Sequence, residues 1–197
     1  MLPDKFNDTL HYKKIQYTKS NLEKTNMDNS AQFLEMKSKY HEYTTLYKDA
    51  SDPQNRGNMG LGIYCPDRNI KLSGSHPGSF SICTSEVAKI MIALNVIKEE
   101  NIKKSIIFTD SISALKRISN WKISVHNDKI TMLTWYRINE IKNLEWEVML
   151  MWIPSHTNIP GNEQADRLAK EGTKPNLITI FKCHYNEILP TIKKEIW

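Results

Sequence analysis

The sequence has few cysteines and no long apolar segment. Its 197 residues include 3 cysteines, Cys65, Cys83 and Cys183, which are widely spaced and odd in number. This pattern argues against a disulfide framework and lacks a CxxC pair for zinc, so we interpret them as reduced packing residues. The most apolar stretch, residues 148–153, stops at Pro154, well short of the roughly 18 residues that a membrane span needs. We therefore expect no membrane partner.

A secretory signal is also missing from the first residues, because no basic head is followed by an apolar core. We therefore expect the protein inside the cell, in the cytoplasm or the nucleus. Basic residues are in moderate excess, with 27 Lys and Arg against 22 Asp and Glu, for a formal net charge of +5. Such an excess favours a polyanionic partner without requiring one.

The chain divides into three parts by composition. Residues 1–38 are polar, with scattered apolar residues that follow no regular period, which is typical of a leader or linker. Residues 39–173 carry the regular patterns of a folded domain. Residues 174–197 form an amphipathic tail, which starts with Lys174 and Pro175 after Gly172 ends the last helix. A polar leader and a patterned tail are what we expect of a piece of a larger polypeptide.

The patterns within residues 39–173 predict alternating strands and helices. Strands are predicted from 43 to 49, 59 to 65, 70 to 75, 105 to 109 and 147 to 153. Helices are predicted from Thr84, as the N-cap, to 100, after Ser111, from 128 to 144 and from Asn162 to 171. The order β-β-β-α-β-α-α-β-α indicates the α/β class, with an antiparallel meander followed by parallel crossovers in one mixed five-stranded sheet flanked by helices.

Two acidic residues lie in the first strand and the first helix of this pattern. Asp49 comes near the end of the first strand, where a turn-opening aspartate is the simple alternative. Glu86 lies within about 40 degrees of Ile90 on the helical wheel, in the apolar stripe, where a carboxylate needs a partner. The alternative for Glu86 is a first-turn glutamate that favours the helix dipole.

Two further acidic residues follow later in the chain. Asp110 comes directly after a strand, at the end of the sheet where α/β proteins place ligands, although a helix N-cap would explain it equally well. Asp166 borders Ala165 and Ala169 in the last helix, and its alternative is a solvated ion pair with Lys170. None of the four acidic residues, taken alone, distinguishes a functional site from its simple alternative.

Taken together, the four carboxylates favour a metal site. A carboxylate cluster is costly unless a multivalent cation neutralises it, so convergence should also raise at least one carboxylate pKa. Oxygen ligands select Mg²⁺, with Mn²⁺ as a substitute, over zinc. Two such ions about 4 Å apart can clamp a phosphodiester in line.

Four segments resemble the type 1 ribonuclease H family. They are residues 46–51 (LYKDAS), 84–88 (TSEVA), 108–111 (FTDS) and 152–166 (WIPSHTNIPGNEQAD). The last segment is the most specific, and it most resembles the ribonuclease H domain of reverse transcriptases from retrotransposons without long terminal repeats. The resemblance implies a ribonuclease H-like fold and an endonuclease that cuts the RNA strand of RNA·DNA hybrids with two Mg²⁺ ions.

Site residues follow from the same resemblance. It assigns Asp49, Glu86, Asp110 and Asp166 to the metal, and His156 to proton transfer or product release from an exposed loop. An imidazole titrating near neutrality suits that role, although a surface histidine without a role is the simple alternative. The resemblance assigns no substrate-binding residues. It also implies an association with a polymerase module of a reverse transcriptase.

Two departures from the family pattern favour a second hypothesis. Ala50 stands where the family usually has glycine, so a position that needs an unusual backbone angle would carry a Cβ. The basic protrusion of the bacterial forms is missing, because only a short segment around Trp121 and Lys122 separates two predicted helices. The alternative is therefore a catalytically lapsed ribonuclease H-like module that binds nucleic acid or has a structural role.

Overall fold

The structure is a computed structural model that describes residues 17–19, 29–51, 58–76, 81–120, 129–155 and 158–173. His156, the segment around Trp121 and the predicted tail lie outside the described residues. No helix among the described residues is long and apolar enough to cross a membrane.

The sheet has six strands in the spatial order β1-β6-β5-β2-β3-β4. The strands are β1 (Tyr17–Lys19), β2 (Thr44–Ser51), β3 (Met59–Cys65), β4 (Ile70–His76), β5 (Lys104–Thr109) and β6 (Glu147–Trp152). Strands β2, β3 and β4 are antiparallel neighbours, while β5 runs parallel to both β2 and β6. The five predicted strands and their meander-then-crossover order are confirmed.

Within the described residues, five α-helices accompany the sheet. They are α1 (Asn29–Ser38), α2 (Ile82–Glu99), α3 (Ile112–Ser119), α4 (Lys129–Asn143) and α5 (Pro160–Gly172). The predicted N-cap of α2 was wrong, because Ser81 caps the helix by accepting a hydrogen bond from the Thr84 backbone N–H. The other predicted boundaries of the strands and helices agree to within about two residues.

The two faces of the sheet bury separate apolar cores. Leu46, Ile63 and Ile107 pack with residues of α2, α3 and α4 on one face. Tyr47 and Phe108 pack on the other face with residues of α1 and α5. Because successive side chains of a strand alternate between faces, neighbouring residues of β2 reach different cores.

Two elements within residues 1–38 join this fold. Strand β1 extends the sheet by pairing parallel with β6. Helix α1 buries Phe33, whose ring centroid lies 5.2 Å from that of Phe108 in an edge-on arrangement. The structure thus adds a sixth strand and a helix that the sequence patterns did not predict.

Candidate active site

The central strand β2 separates the four predicted carboxylates between the two faces of the sheet. Leu46 and Lys48 share the face covered by α2, whereas Tyr47 and Asp49 share the face covered by α5. Glu86 belongs to α2 and Asp166 to α5. The site is therefore built from both faces, around the carboxyl ends of β2 and β5.

A glycine brings α5 close to Asp49. Asp49 pairs with Gly62 across the ladder between β2 and β3. A Cβ added to Gly62 would lie only 2.0 Å from the carbonyl oxygen of Ala165, so the backbone of α5 rests directly on this position. Asp166 follows Ala165 in the helix, and this close approach accordingly brings its carboxylate towards Asp49.

Asp110 lies directly after β5, where its backbone and its side chain have separate partners. Its backbone carbonyl accepts a hydrogen bond from Trp152 Nε1 at 3.0 Å. Its carboxylate Oδ1 lies 3.4 Å from Lys48 Nζ. The N-cap of α3 is Ser111, whose hydroxyl accepts from the Ala114 backbone N–H. The alternative of Asp110 as a helix N-cap is thereby excluded.

The environment of Asp49 raises its pKa from 3.8 to about 6. Burial is the largest cause, and the charges of Asp110 and Asp166 raise the pKa further. A backbone hydrogen bond from Ala50 N–H to Asp49 Oδ1, at 2.6 Å, opposes the rise. The expected increase in the pKa of one carboxylate is present at Asp49, where burial contributes more than the charges of Asp110 and Asp166.

Glu86 lies in a different environment, between two lysines. Its Oε2 accepts from Lys48 Nζ and its Oε1 lies 2.5 Å from Lys89 Nζ. Burial would raise the pKa of Glu86, but the charges of the two lysines outweigh burial and lower the pKa to about 2. Glu86 is the fifth residue of α2, beyond the first turn, so its partners are these lysines and not the helix dipole.

The two lysines respond differently to burial. Burial alone would lower the pKa of Lys48, yet the carboxylates of Glu86 and Asp110 raise it above the ordinary value. For Lys89 burial dominates, and its pKa is lowered despite the ion pair with Glu86. Both side chains are fully buried.

Asp166 takes part both in the predicted site and in its simple alternative, an ion pair with Lys170 along the helix. Its Oδ2 lies 2.5 Å from Lys170 Nζ, which is the predicted pair along the helix, with 29% of the Asp166 side chain exposed. The same carboxylate contributes to the raised pKa of Asp49. Asp166 is therefore partly solvated and still close enough to Asp49 to raise its pKa.

The donor set fits a divalent cation on the Asp49 side of this arrangement. Asp49, Asp110 and Asp166 offer oxygen ligands, and Asn162 adds a buried Oδ1 without a hydrogen-bond partner among the described residues. Glu86 does not fit as well, since both its oxygens pair with lysines. Within the described part of the chain, no three Asp, Glu, His or Cys side chains are already arranged to hold a metal ion.

Ala50 causes no backbone strain at this site. It lies within β2, pairs with Leu61 and has a negative φ, outside the left-handed region that favours glycine. The expectation of an unusual backbone angle at Ala50 was therefore wrong.

Sequence reasoning missed three residues that surround the carboxylates. Lys48 and Lys89 are buried cations, although lysine is usually exposed. Asn162 Nδ2 lies 3.5 Å from Asp49 Oδ2. Two signals were present in the sequence: Lys48 shares the strand parity of the apolar Leu46, and Lys89 follows Glu86 by three residues in a helix.

The chain matches a known family over most of its length. Residues 41–174 match the family model described as RNase H. The match includes the segments that hold Asp49, Glu86, Asp110 and Asp166, and it covers more than half of the chain.

Individual relatives agree with this match at modest identity. Ribonuclease H1 of Rattus norvegicus is 29% identical over 146 residues, covering 68% of this chain and 51% of the rat protein. Ribonuclease HI of Caulobacter vibrioides is 26% identical over 149 residues, covering 66% of this chain and 92% of the bacterial protein. Ribonuclease H of Ralstonia nicotianae is 29% identical over 150 residues. The aligned part thus spans about half the length of the mammalian relative.

Proposed function

This chain belongs to the RNase H family, and from that premise we propose that it is a divalent-metal-dependent endonuclease for the RNA strand of RNA·DNA hybrids. The observation that carries the proposal is the cluster of Asp49, Asp110 and Asp166 at the end of the central strands, within the matched region. Water is the nucleophile, and no covalent enzyme intermediate forms.

Asp49, Asp110 and Asp166 are the residues that would hold the cation. A bound divalent cation supplies positive charge to the phosphate and lowers the pKa of a water molecule. Asn162 orients the Asp49 carboxylate from α5, and the Trp152 indole fixes the backbone at Asp110. The close contact of α5 with Gly62 keeps Asp166 at the same end of the sheet.

His156 is proposed to assist proton transfer or product departure. It lies in the sequence between Ser155 and Asn158, the nearest described residues on either side, and α5 begins at Pro160. An imidazole in this loop can exchange protons near neutral pH without serving as a ligand.

Hybrid recognition is proposed to depend on the 2′-hydroxyl of the RNA strand, which distinguishes RNA from DNA. The chain is further proposed to be part of, or derived from, a retrotransposon reverse transcriptase, and to act beside a polymerase module. The segment 152–166 supports this context. In place of the basic protrusion of the bacterial forms, a polymerase module would supply contacts to the nucleic acid.

A catalytically lapsed module is the second candidate. The specific observation in its favour is that Lys48 and Lys89 already neutralise Glu86. Such a protein would keep the fold and bind nucleic acid or serve as scaffold, without hydrolysis.

A cleavage assay separates the two candidates. A hybrid with labelled RNA is incubated with the protein in Mg²⁺, in Mn²⁺ and in excess chelator. The proposed nuclease cuts in either metal and not in chelator, and Asp110→Asn abolishes cutting while the circular dichroism spectrum stays unchanged. Binding of the hybrid without cleavage in any metal would support the lapsed module.

A further inference from the structure

Lys48 is a fully buried cation in contact with two of the carboxylates assigned to the metal. Its side chain is 0% exposed, its Nζ pairs with Glu86 Oε2, and the same atom lies 3.4 Å from Asp110 Oδ1. Lysine is almost never fully buried unless it is paired. The ammonium group therefore already supplies positive charge between Glu86 and Asp110.

Lys89 completes the neutralisation of Glu86. Its Nζ lies 2.5 Å from Glu86 Oε1, and its side chain is also 0% exposed. Both oxygens of Glu86 are thereby engaged by ammonium groups. Glu86 could bind a metal ion only by giving up a buried ion pair, which would leave a lysine charge buried without its partner.

The charge balance of the cluster matches one divalent cation. Counted as ionised, the four carboxylates Asp49, Glu86, Asp110 and Asp166 carry two more charges than the two fully buried ammonium groups of Lys48 and Lys89. Lys170 adds little inside the cluster, because its side chain is 63% exposed and solvent screens its charge.

We propose that the Lys48 ammonium takes the place of one of the two divalent cations expected from the family, so that the chain binds a single divalent cation at Asp49, Asp110 and Asp166. The inference rests on the proposed function, since it concerns the same site. Lys48 acts as a positioning residue through Glu86 and Asp110.

Repulsion explains why a second cation is disfavoured. An ion bound to Glu86 would lie beside Lys48 Nζ, and like charges repel strongly where water is excluded. Removing the lysine charge would leave Asp110 and one oxygen of Glu86 free to bind metal. Lys48→Met keeps most of the side-chain volume and removes only the charge.

The experiment counts bound Mn²⁺ by electron paramagnetic resonance of the free ion, using the full chain and no substrate. It compares wild type, Lys48→Met and the control Lys104→Met. Lys104 begins β5, about 20 Å along the strand from Asp110, and its side chain is 43% exposed. The control therefore makes the same change in net charge far from the cluster.

We expect one Mn²⁺ per chain for wild type and for Lys104→Met, and a second bound Mn²⁺ for Lys48→Met. Two ions on wild type, or one ion on a folded Lys48→Met, would overturn the inference. The wild-type count needs no variant, so two ions on wild type would overturn the inference even if Lys48→Met does not fold.

Hybrid cleavage measured on the same samples separates this inference from the proposed function. A wild type that binds two ions and cuts hybrid overturns the inference alone. A wild type that binds no Mn²⁺ and cuts no hybrid overturns the proposed function, and the inference with it.

Discussion

Replacing Asp49 with Asn should stabilise the metal-free protein at neutral pH. The pKa of Asp49 rises from 3.8 to about 6 in the folded state, mainly because the carboxylate is buried and secondarily because Asp110 and Asp166 are near. Each pKa unit corresponds to about 1.36 kcal/mol, so the full shift corresponds to about 3 kcal/mol. Solvent screening of this partly buried group reduces the expected gain to about 1–3 kcal/mol.

The pH dependence of this gain follows from the direction of the shift. A carboxyl group with a raised pKa in the folded state keeps its proton more tightly there than in the unfolded chain. Wild type therefore loses free energy of unfolding as the pH rises from about 4 to about 6, and the whole loss is present above about pH 6. The Asn variant has no such loss, so the two proteins should differ at pH 7.5 and agree at pH 4.

Urea unfolding in chelator at these two pH values measures the effect. At pH 7.5, Asp49→Asn should also melt higher by several degrees, since 1 kcal/mol shifts Tm by about 2–4 °C in a chain of this size. Glu163→Gln, an exposed carboxylate of α5, is the matched control and should change stability by less than about 0.5 kcal/mol. A variant that is no more stable than wild type at pH 7.5 would refute the argument that Asp49 is held charged against burial and its neighbours.

Three further substitutions test other parts of the site. Glu86→Gln should destabilise the protein by about 3–5 kcal/mol in urea unfolding, because Lys89 loses its ion-pair partner and Lys48 keeps only the more distant Asp110. Wild type should lose this stabilisation as the pH falls from about 4.5 towards 2, and unchanged stability of the variant would contradict the role of the ion pairs. Gly62→Ala should destabilise by about 1–3 kcal/mol and lower cleavage, because the new Cβ would displace α5; a variant with wild-type stability would contradict this close packing. His156→Ala should slow turnover by about 10²–10⁴-fold without abolishing it, and a wild-type rate at every pH would reduce His156 to a loop residue.

The alternation of strands and helices could be predicted because each element carries its own apolar period. Helix α1 was not predicted because its buried Phe33 packs on Tyr47 and Phe108, which belong to strands far along the chain, and Met36 joins the same core. No local period of apolar residues predicts such a contact. The burial of Phe33 depends on the folded sheet, which presents the aromatic rings of Tyr47 and Phe108.

The candidate site likewise has residues that the sequence predicts and contacts that depend on the fold. The four carboxylates are assigned by the family resemblance, with support from the strand-end positions of Asp49 and Asp110 and from the apolar helix stripe around Glu86. The buried lysine partners of Glu86 were not predicted, because a lysine next to an aspartate in a strand usually reaches solvent. Lys48 stays buried only because strand alternation points it at Glu86 of α2, and that meeting is a property of the fold.

The most direct test of the account is a strand-specific cleavage assay on one hybrid, with the RNA strand and the DNA strand labelled separately. We expect wild type in Mg²⁺ to cut the RNA strand, to spare the DNA strand and to spare duplex DNA of the same sequence. Asp110→Asn and chelator should each abolish the cut. Cleavage of both strands, or equal cleavage by folded Asp110→Asn, would contradict the assignment of this chain as a metal-dependent nuclease for the RNA of hybrids.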